Sequence, residues 1–205
     1  MLLHKLSLVT PYAPLVVFVH GRGGHLEVMR PFQRVVPAGC SVLYIQAPIP
    51  DTDIGGFSWW LAGEGTKPRY ESGRELVSEI VTILEQAEAD PERIIGIGFS
   101  QGGAVLSLAI QDEPGFFSSI AILASFALES RQVRIDESSA RATKVLMING
   151  DADQIVPLTR AQSGLERLTS LNFSAELLVE PGVGHKIGSR GLKELGRFVS
   201  EQLAS

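Results

Sequence analysis

The chain has 205 residues, of which 44% are hydrophobic and 20% are charged, and its formal net charge is −5. This length and composition are typical of one compact domain spanning residues 1–205, with no repeat and no low-complexity linker. Lysine and arginine form no cluster in the sequence, which argues against nucleic acid or an anionic membrane surface as the main partner.

Cysteine content and apolar runs bear on the cellular compartment. Cys40 is the only cysteine, so no internal disulfide can form and a reducing compartment, the cytoplasm, is the simpler expectation. The N-terminal stretch lacks the pattern of a secretory signal, and no apolar run approaches the length of a bilayer span. We therefore expect no stable membrane insertion, whereas the choice between a monomer and a homodimer stays open.

Short apolar runs and amphipathic stretches alternate along the chain. Continuously apolar, β-branched runs are typical of strands that are buried on both faces of a sheet. We predict an edge strand at 3–9 and further strands at 15–19, 41–45, 93–97, 120–124, 144–148 and 175–179. Helices are expected at 26–36, 71–89 and 104–110. The alternation predicts an α/β fold, with a mainly parallel central sheet and helices on both faces.

A glycine-rich loop follows the second predicted strand. It reads His20-Gly21-Arg22-Gly23-Gly24 and lies at the carboxyl end of a buried strand, where open α/β sheets place their ligand sites. Because glycine lets the backbone approach a substrate closely, we assign His20, Gly21 and Gly23 to the substrate-binding site. The Arg22 N–H is assigned as a hydrogen-bond donor to the oxyanion that would form if a nucleophile attacked a substrate carbonyl in this site. An ordinary surface loop is the alternative.

Segment 51–65 has the composition of a long loop and holds both tryptophans. Long loops without regular structure are usually functional or disordered, and the aromatic content argues against disorder. We therefore expect Phe57, Trp59 and Trp60 to form an apolar wall or cover over the substrate site. Ordinary core packing is the alternative for each of them.

The central motif is Gly98-Phe99-Ser100-Gln101-Gly102, which has the form G-x-S-x-G. This motif places a serine on a sharp turn between a buried strand and a helix, where side chains at the two glycine positions would collide with the backbone. Ser100 is then exposed as a nucleophile, and the Gln101 N–H lies at the positive end of the helix as a second oxyanion donor. The motif alone is weak, because a glycine-rich turn with an inert serine has the same pattern. Its position between a strand and a helix strengthens it.

A serine nucleophile needs a base, usually a histidine that is oriented by a carboxylate. The loop after the strand at 144–148 offers Asp151 and Asp153. We prefer Asp153 because it lies in the middle of the loop, whereas Asp151 sits nearer the strand and is expected to bond local backbone; both could instead be turn aspartates. His185, the only histidine in the second half of the chain, follows the last predicted strand and supplies the base.

These stretches resemble the phospholipase/carboxylesterase family of α/β-hydrolases, which includes acyl-protein thioesterases and small bacterial carboxylesterases. The order Ser100, Asp153, His185 is that of α/β-hydrolases. The resemblance is carried by Val19 to Gly23, Ala47-Pro48 with Gly56 and Trp59, Gly98 to Gly103, and Gly150 to Pro157 followed by Gly184-His185. It implies an α/β-hydrolase fold and a serine hydrolase of esters or thioesters. Those three residues would be its catalytic triad, and the N–H groups of Arg22 and Gln101 its oxyanion hole.

The expected substrate is a small-molecule ester, cleaved through an acyl-enzyme intermediate. Val156 and Ile187, which closely follow the acid and the base in sequence, are assigned to the substrate-binding residues. No metal or other cofactor is expected, because the four histidines are scattered without metal-ligand spacing. The alternatives are a lysophospholipase or acyl-protein thioesterase acting on longer acyl chains, and a non-catalytic protein that binds a ligand in the same fold.

Arg22 departs from the family pattern, since relatives commonly carry an apolar residue at this position of the acyl pocket. A guanidinium that points into the site would bind a substrate carboxylate or phosphate and disfavour a long acyl chain. A guanidinium that points outward would change nothing. The sequence leaves both orientations open.

Overall fold

The computed structural model describes residues 2–61, 67–130 and 142–204 of the chain, so part of the predicted loop 51–65 lies outside the described residues. The described strands are β1 (His4–Ser7), β2 (Leu15–Val19), β3 (Ser41–Ile45), β4 (Ile49–Pro50), β5 (Phe57–Ser58), β6 (Ile94–Phe99), β7 (Ser119–Leu123), β8 (Lys144–Gly150) and β9 (Ser174–Glu180). Within this part of the chain, seven strands form one sheet in the order β1-β3-β2-β6-β7-β8-β9, and β4 pairs with β5 separately.

The described helices cover both faces of this sheet. They are α1 (Ser72–Gln86), α2 (Gln101–Asp112), α3 (Leu158–Ser170) and α4 (Ser189–Ala204), together with a 3₁₀ helix at Arg30–Val35. Apolar side chains of α1, α2 and α3 join one hydrophobic cluster, whereas those of α4 and the 3₁₀ helix join a second cluster. None of the helices in the described part of the chain has the length and apolarity needed to span a bilayer.

The continuously apolar strands follow from this two-sided burial. In β2, Leu15, Val17 and Val19 belong to the first cluster, whereas Val16 and Phe18 belong to the second. Because successive side chains of a strand point to opposite faces, a strand covered on both faces needs an apolar residue at every position. All neighbouring strands of the large sheet run parallel except β1, which pairs antiparallel with β3 at one edge.

The predicted fold class is confirmed, and so are the predicted strands, with β2 and β3 matching their predicted bounds. The helix predicted at 26–36 is wrong, because only the short 3₁₀ helix Arg30–Val35 forms there. Two prolines explain the difference. Pro31 lacks the N–H that a longer helix would need, and Pro37 favours the extended backbone seen at Val36, with φ −84° and ψ 121°.

The strand order brings four loops to one edge of the sheet. Parallel strands end at the same edge, and the loops after β2, β6, β8 and β9 carry, in that order, Arg22, Ser100, Asp153 and His185. The carboxyl ends of parallel strands are where open α/β sheets bind ligands. The topology therefore places all the predicted catalytic residues on one side of the molecule.

Candidate active site

Ser100 lies on a strained turn between β6 and α2. Its backbone has φ 51° and ψ −120°, a conformation that costs a non-glycine residue about 1–3 kcal/mol. A Cβ added at Gly98 would lie 2.6 Å from the carbonyl carbon of Gly102, and one added at Gly102 would lie 2.0 Å from the carbonyl oxygen of Val19. The collision expected at both glycine positions of the motif is confirmed.

Hydrogen bonds to the Ser100 backbone hold this turn in place. The Ser100 N–H donates to the carbonyl oxygen of Leu123 over 2.9 Å. The buried Ser125 hydroxyl donates to the Ser100 carbonyl oxygen over 2.5 Å. The Asn149 side-chain amide in turn donates to the Ser125 carbonyl oxygen over 2.9 Å. The ends of β7 and β8 therefore fix the backbone at which the serine is presented.

Three side chains from different loops form one hydrogen-bonded chain. Nε2 of His185 lies 3.1 Å from the Ser100 hydroxyl, and Nδ1 of His185 lies 2.8 Å from Oδ2 of Asp153. The other carboxylate oxygen of Asp153 accepts the N–H groups of Ile155 and Val156 at 2.8 and 2.9 Å. Because a carboxylate only accepts hydrogen bonds, Nδ1 carries the imidazole proton and Nε2 is left to accept a hydrogen bond from the Ser100 hydroxyl.

Asp151, the other carboxylate of the β8 loop, has a different contact. Its Oδ1 accepts the N–H of Gly182 over 2.6 Å and so ties its own loop to the loop that carries His185. The two loops also meet at Gly150, where a Cβ would lie 1.9 Å from the carbonyl oxygen of Val183. Asp151 is expected from the sequence to bond local backbone; it does bond backbone, but that of Gly182, 31 residues along the chain.

Glu180 is a buried residue of this site that the sequence does not predict. Its two carboxylate oxygens accept the N–H groups of Gly188 and Gly191 at 2.8 and 2.7 Å, on either side of the start of α4. These bonds anchor the far end of the loop that carries His185. The ring of Phe99 also contacts the imidazole of His185, with 5.1 Å between the ring centroids.

Of the two predicted oxyanion donors, Arg22 lines the same cleft as Ser100, and Gln101 directly follows Ser100 in the chain. Gly21 lies so close that an added Cβ would be 3.0 Å from the Cβ of Ser100, and Gln101 is the first residue of α2. Within the described residues, neither the Arg22 N–H nor the Gln101 N–H donates to a protein acceptor. The Gln101 side chain is used elsewhere, because it bonds the backbone of Trp59 and Trp60. Two backbone donors next to Ser100 are thus available for an anion.

Ser100 and His185 open into a cleft of about 690 Å³. Of the predicted substrate-binding residues, Gly21, Gly23 and Ile187 line this cleft, as does Arg22. Much of the remaining wall is apolar and was not predicted from the sequence; it includes Met29, Phe32, Phe99, Ile155 and Leu192. No local signal identifies these residues, because they come from four separate parts of the chain.

The predicted wall of aromatic residues is corrected. Trp59 and Trp60 are buried in the core, and Phe57 packs against it from β5; none of them lines the cleft at Ser100. Nε1 of Trp59 donates to the carbonyl oxygen of His20 over 2.8 Å, so its polar atom has a partner beneath the glycine-rich loop. Core packing, the alternative interpretation, is what the structure shows.

His20 and Val156 also lie away from the cleft, contrary to prediction. The buried His20 donates from Nδ1 to the carbonyl oxygen of Gly21 and accepts the N–H of Ala47 at Nε2. Both bonds suit a neutral imidazole, and burial lowers the pKa of His20 below its ordinary value of 6.5. Val156 is a core residue, whereas its neighbour Ile155 reaches the cleft.

The Arg22 side chain turns back to the protein. Its Nε donates to Oδ2 of Asp51 over 2.8 Å, and Nη2 lies 3.4 Å from Oδ1 of the same carboxylate. Arg22 and then Ser58, which also donates to Asp51, hold the pKa of this carboxyl at about 2. Since an internal carboxylate already matches the guanidinium, the structure does not favour Arg22 as a receptor for a substrate anion.

Comparison with known proteins identifies a family to which the chain is similar. The model of the phospholipase/carboxylesterase family matches residues 62–203. Acyl-protein thioesterase 1 homolog 1 of Dictyostelium discoideum is 26% identical over 212 residues, which cover 95% of this chain and 93% of that protein. Acyl-protein thioesterase 1 of Gibberella zeae is 35% identical over 139 residues, or 64% of this chain and 59% of that protein.

The solved structures show the same fold. The carboxylesterase of Bacillus cereus superposes with a TM-score of 0.82 at 17% identity, covering 98% of this chain and 95% of that one. The sheet, the turn at Ser100 and the family match lead to one conclusion: the chain has the α/β-hydrolase fold and belongs to the phospholipase/carboxylesterase family.

Proposed function

We propose that this protein is a serine hydrolase that cleaves carboxylic ester or thioester bonds of small substrates. The hydrogen-bonded chain from Asp153 through His185 to Ser100, at the mouth of an open cleft, is the observation that carries the proposal. The family supports hydrolysis of esters or thioesters as the general activity. The hydrogen-bond geometry supports the roles that we propose for the individual residues.

The reaction proceeds in two steps through an acyl-enzyme. Nε2 of His185 takes the Ser100 proton while the serine oxygen attacks the substrate carbonyl, and the N–H groups of Arg22 and Gln101 bind the resulting oxyanion. Asp153 stabilises the imidazolium that forms. His185 then gives the proton to the leaving alcohol or thiol, and water cleaves the acyl-enzyme with the same residues acting in reverse.

The cleft favours an apolar acyl group. Val28, Ile54 and Ile155, which are 44%, 58% and 67% exposed, surround its mouth, and Met29 lies against it from the core. Large apolar side chains left exposed around a concave site mark a surface that an apolar ligand covers. These exposed apolar residues support the second candidate function, in which the protein is a lysophospholipase or acyl-protein thioesterase that hydrolyses esters or thioesters of longer acyl chains.

The first experiment compares the wild type with Ser100→Ala on p-nitrophenyl esters from acetate to palmitate. We expect activity that disappears in the variant, and the acyl length with the highest kcat/KM separates the two candidate functions. Labelling with a fluorophosphonate tests the nucleophile independently of the substrate, since the modified peptide identifies the reactive serine. A wild-type protein that neither hydrolyses any ester nor takes up the label would instead support a non-catalytic ligand-binding protein.

A further inference from the structure

The loop that carries the Arg22 N–H has no regular structure of its own and is held by its neighbours. Residues 20–24 contact the segment 51–58, which comprises the turn between β4 and β5 and β5 itself. The N–H of Phe57 donates to the carbonyl oxygen of Gly24 over 2.8 Å. A Cβ at Gly56 would lie 2.1 Å from the carbonyl oxygen of Gly23. The backbone of this turn thus packs directly against the loop.

One carboxylate, Asp51, joins the loop and the turn. Its two oxygens meet Nε and Nη2 of Arg22 at 2.8 and 3.4 Å, in the paired geometry that suits a guanidinium. The hydroxyl of Ser58 donates to Oδ2 of Asp51 over 2.8 Å and accepts the N–H of Gly23 over 3.0 Å. Asp51 therefore holds the side chain of residue 22 directly and the backbone of residue 23 through one hydroxyl.

Burial makes this contact costly to break. The side chain of Asp51 is 0% exposed, so removal of the Arg22 guanidinium would leave a buried carboxylate without its cationic partner. Asp53 is a useful contrast, because its carboxylate lies 3.6 Å from Nη2 of Arg22 but is 69% exposed. An exposed pair of this kind contributes little to the structure. Of the two acidic residues near Arg22, only Asp51 can fix the loop.

We propose that Asp51 and the side chain of Arg22 are positioning residues for the oxyanion hole, which hold the Arg22 N–H beside Ser100. The inference rests on the proposed hydrolase function and gives the arginine a role within the protein instead of a role in binding a substrate anion. To stabilise the transition state effectively, a backbone donor must already lie within hydrogen-bond distance of the position that the oxyanion will occupy. The contact between Asp51 and Arg22 keeps the backbone donor in this position.

The test measures kcat and KM of Asp51→Asn with Asp53→Asn as the matched control. Loss of one oxyanion donor costs about 10²- to 10³-fold in kcat. We therefore expect kcat of Asp51→Asn to fall by about a hundredfold with KM changed less than threefold, and Asp53→Asn to resemble the wild type. A folded Asp51→Asn protein that keeps kcat within threefold, or that loses activity only through KM, would overturn the proposal.

Arg22 variants separate positioning from recognition and remain informative if Asp51→Asn does not fold. Arg22→Ala and Arg22→Lys are compared on a neutral ester and on a carboxylate-bearing ester of the same length. Positioning predicts the same fold-loss in kcat on both esters, with a smaller loss in Arg22→Lys, which keeps the charge but not the paired contact. A loss confined to the anionic ester would overturn it. A wild type without Ser100-dependent activity would instead refute the proposed function itself.

Discussion

Asp153→Asn is the substitution for which the structure gives the sharpest expectation. The new amide has one acceptor and one donor group, whereas Asp153 accepts from three partners. The amide oxygen is expected to keep the N–H groups of Ile155 and Val156, because turning the amide around would give up two hydrogen bonds, at about 1 kcal/mol each. The NH₂ group then faces Nδ1 of His185.

That contact reverses the imidazole tautomer. Nδ1 must now accept, so the proton moves to Nε2, which lies 3.1 Å from the Ser100 hydroxyl and no longer accepts its proton. The equivalent change in another serine hydrolase lowers kcat about 10⁴-fold. Since each tenfold loss equals about 1.36 kcal/mol, the expected loss of transition-state stabilisation is about 5.5 kcal/mol.

The assay is kcat/KM on a short p-nitrophenyl ester, with thermal unfolding as the check on folding. Asp151→Asn is the matched control, because an amide oxygen can replace the carboxylate oxygen that accepts the Gly182 N–H. We expect less than a threefold change there. A folded Asp153→Asn protein that keeps more than a tenth of wild-type activity would refute the assignment of Asp153 as the acid.

Three further predictions concern stability. In Gly102→Ala the new Cβ would lie 2.0 Å from the Val19 carbonyl oxygen, so the free energy of unfolding in urea should fall by about 3 kcal/mol or more; a loss below 1 kcal/mol would contradict the close approach. Trp59→Phe deletes the buried bond to the His20 carbonyl oxygen and should cost about 1–3 kcal/mol without a change in KM for short esters, whereas a raised KM at unchanged stability would return Trp59 to the substrate wall. The folded-state pKa of Asp51 is about 2, below its ordinary 3.8, so its ionised form adds stability above pH 4 that is lost as the pH falls through 2. The stability difference between wild type and Asp51→Asn, measured by thermal unfolding from pH 6 to pH 2, should therefore shrink only below pH 4; a difference that stays constant to pH 2 would contradict the low pKa.

The strands and the meeting of Ser100, Asp153 and His185 could be predicted because their signals are local. Continuous apolar runs indicate strands buried on both faces, and the candidate catalytic residues follow those runs closely in sequence. Once the strands are parallel, their following loops meet at one edge, so the order along the chain predicts proximity. The catalytic roles of the three residues stay predictions.

The remaining features depend on contacts between residues far apart in sequence. Asp51, the partner that decides the orientation of Arg22, lies 29 residues away in another loop. Ile155 and Val156 are similar apolar neighbours, and only the turn around Asp153 decides which of them faces the cleft. Trp59 is a large aromatic residue, which is equally compatible with a wall over the substrate site and with the core, so the sequence alone does not separate the two locations.

At Ser100, different atoms hold the turn in place and contact His185. The bonds that hold the turn go to the backbone nitrogen and oxygen of residue 100, whereas its hydroxyl contacts His185. A variant that lacks the hydroxyl therefore keeps the shape of the cleft, the donors and the base. On the proposed function, such a variant would bind an ester without cleaving it, so it could be used to capture the natural substrate from a mixture of cellular metabolites for identification by mass spectrometry.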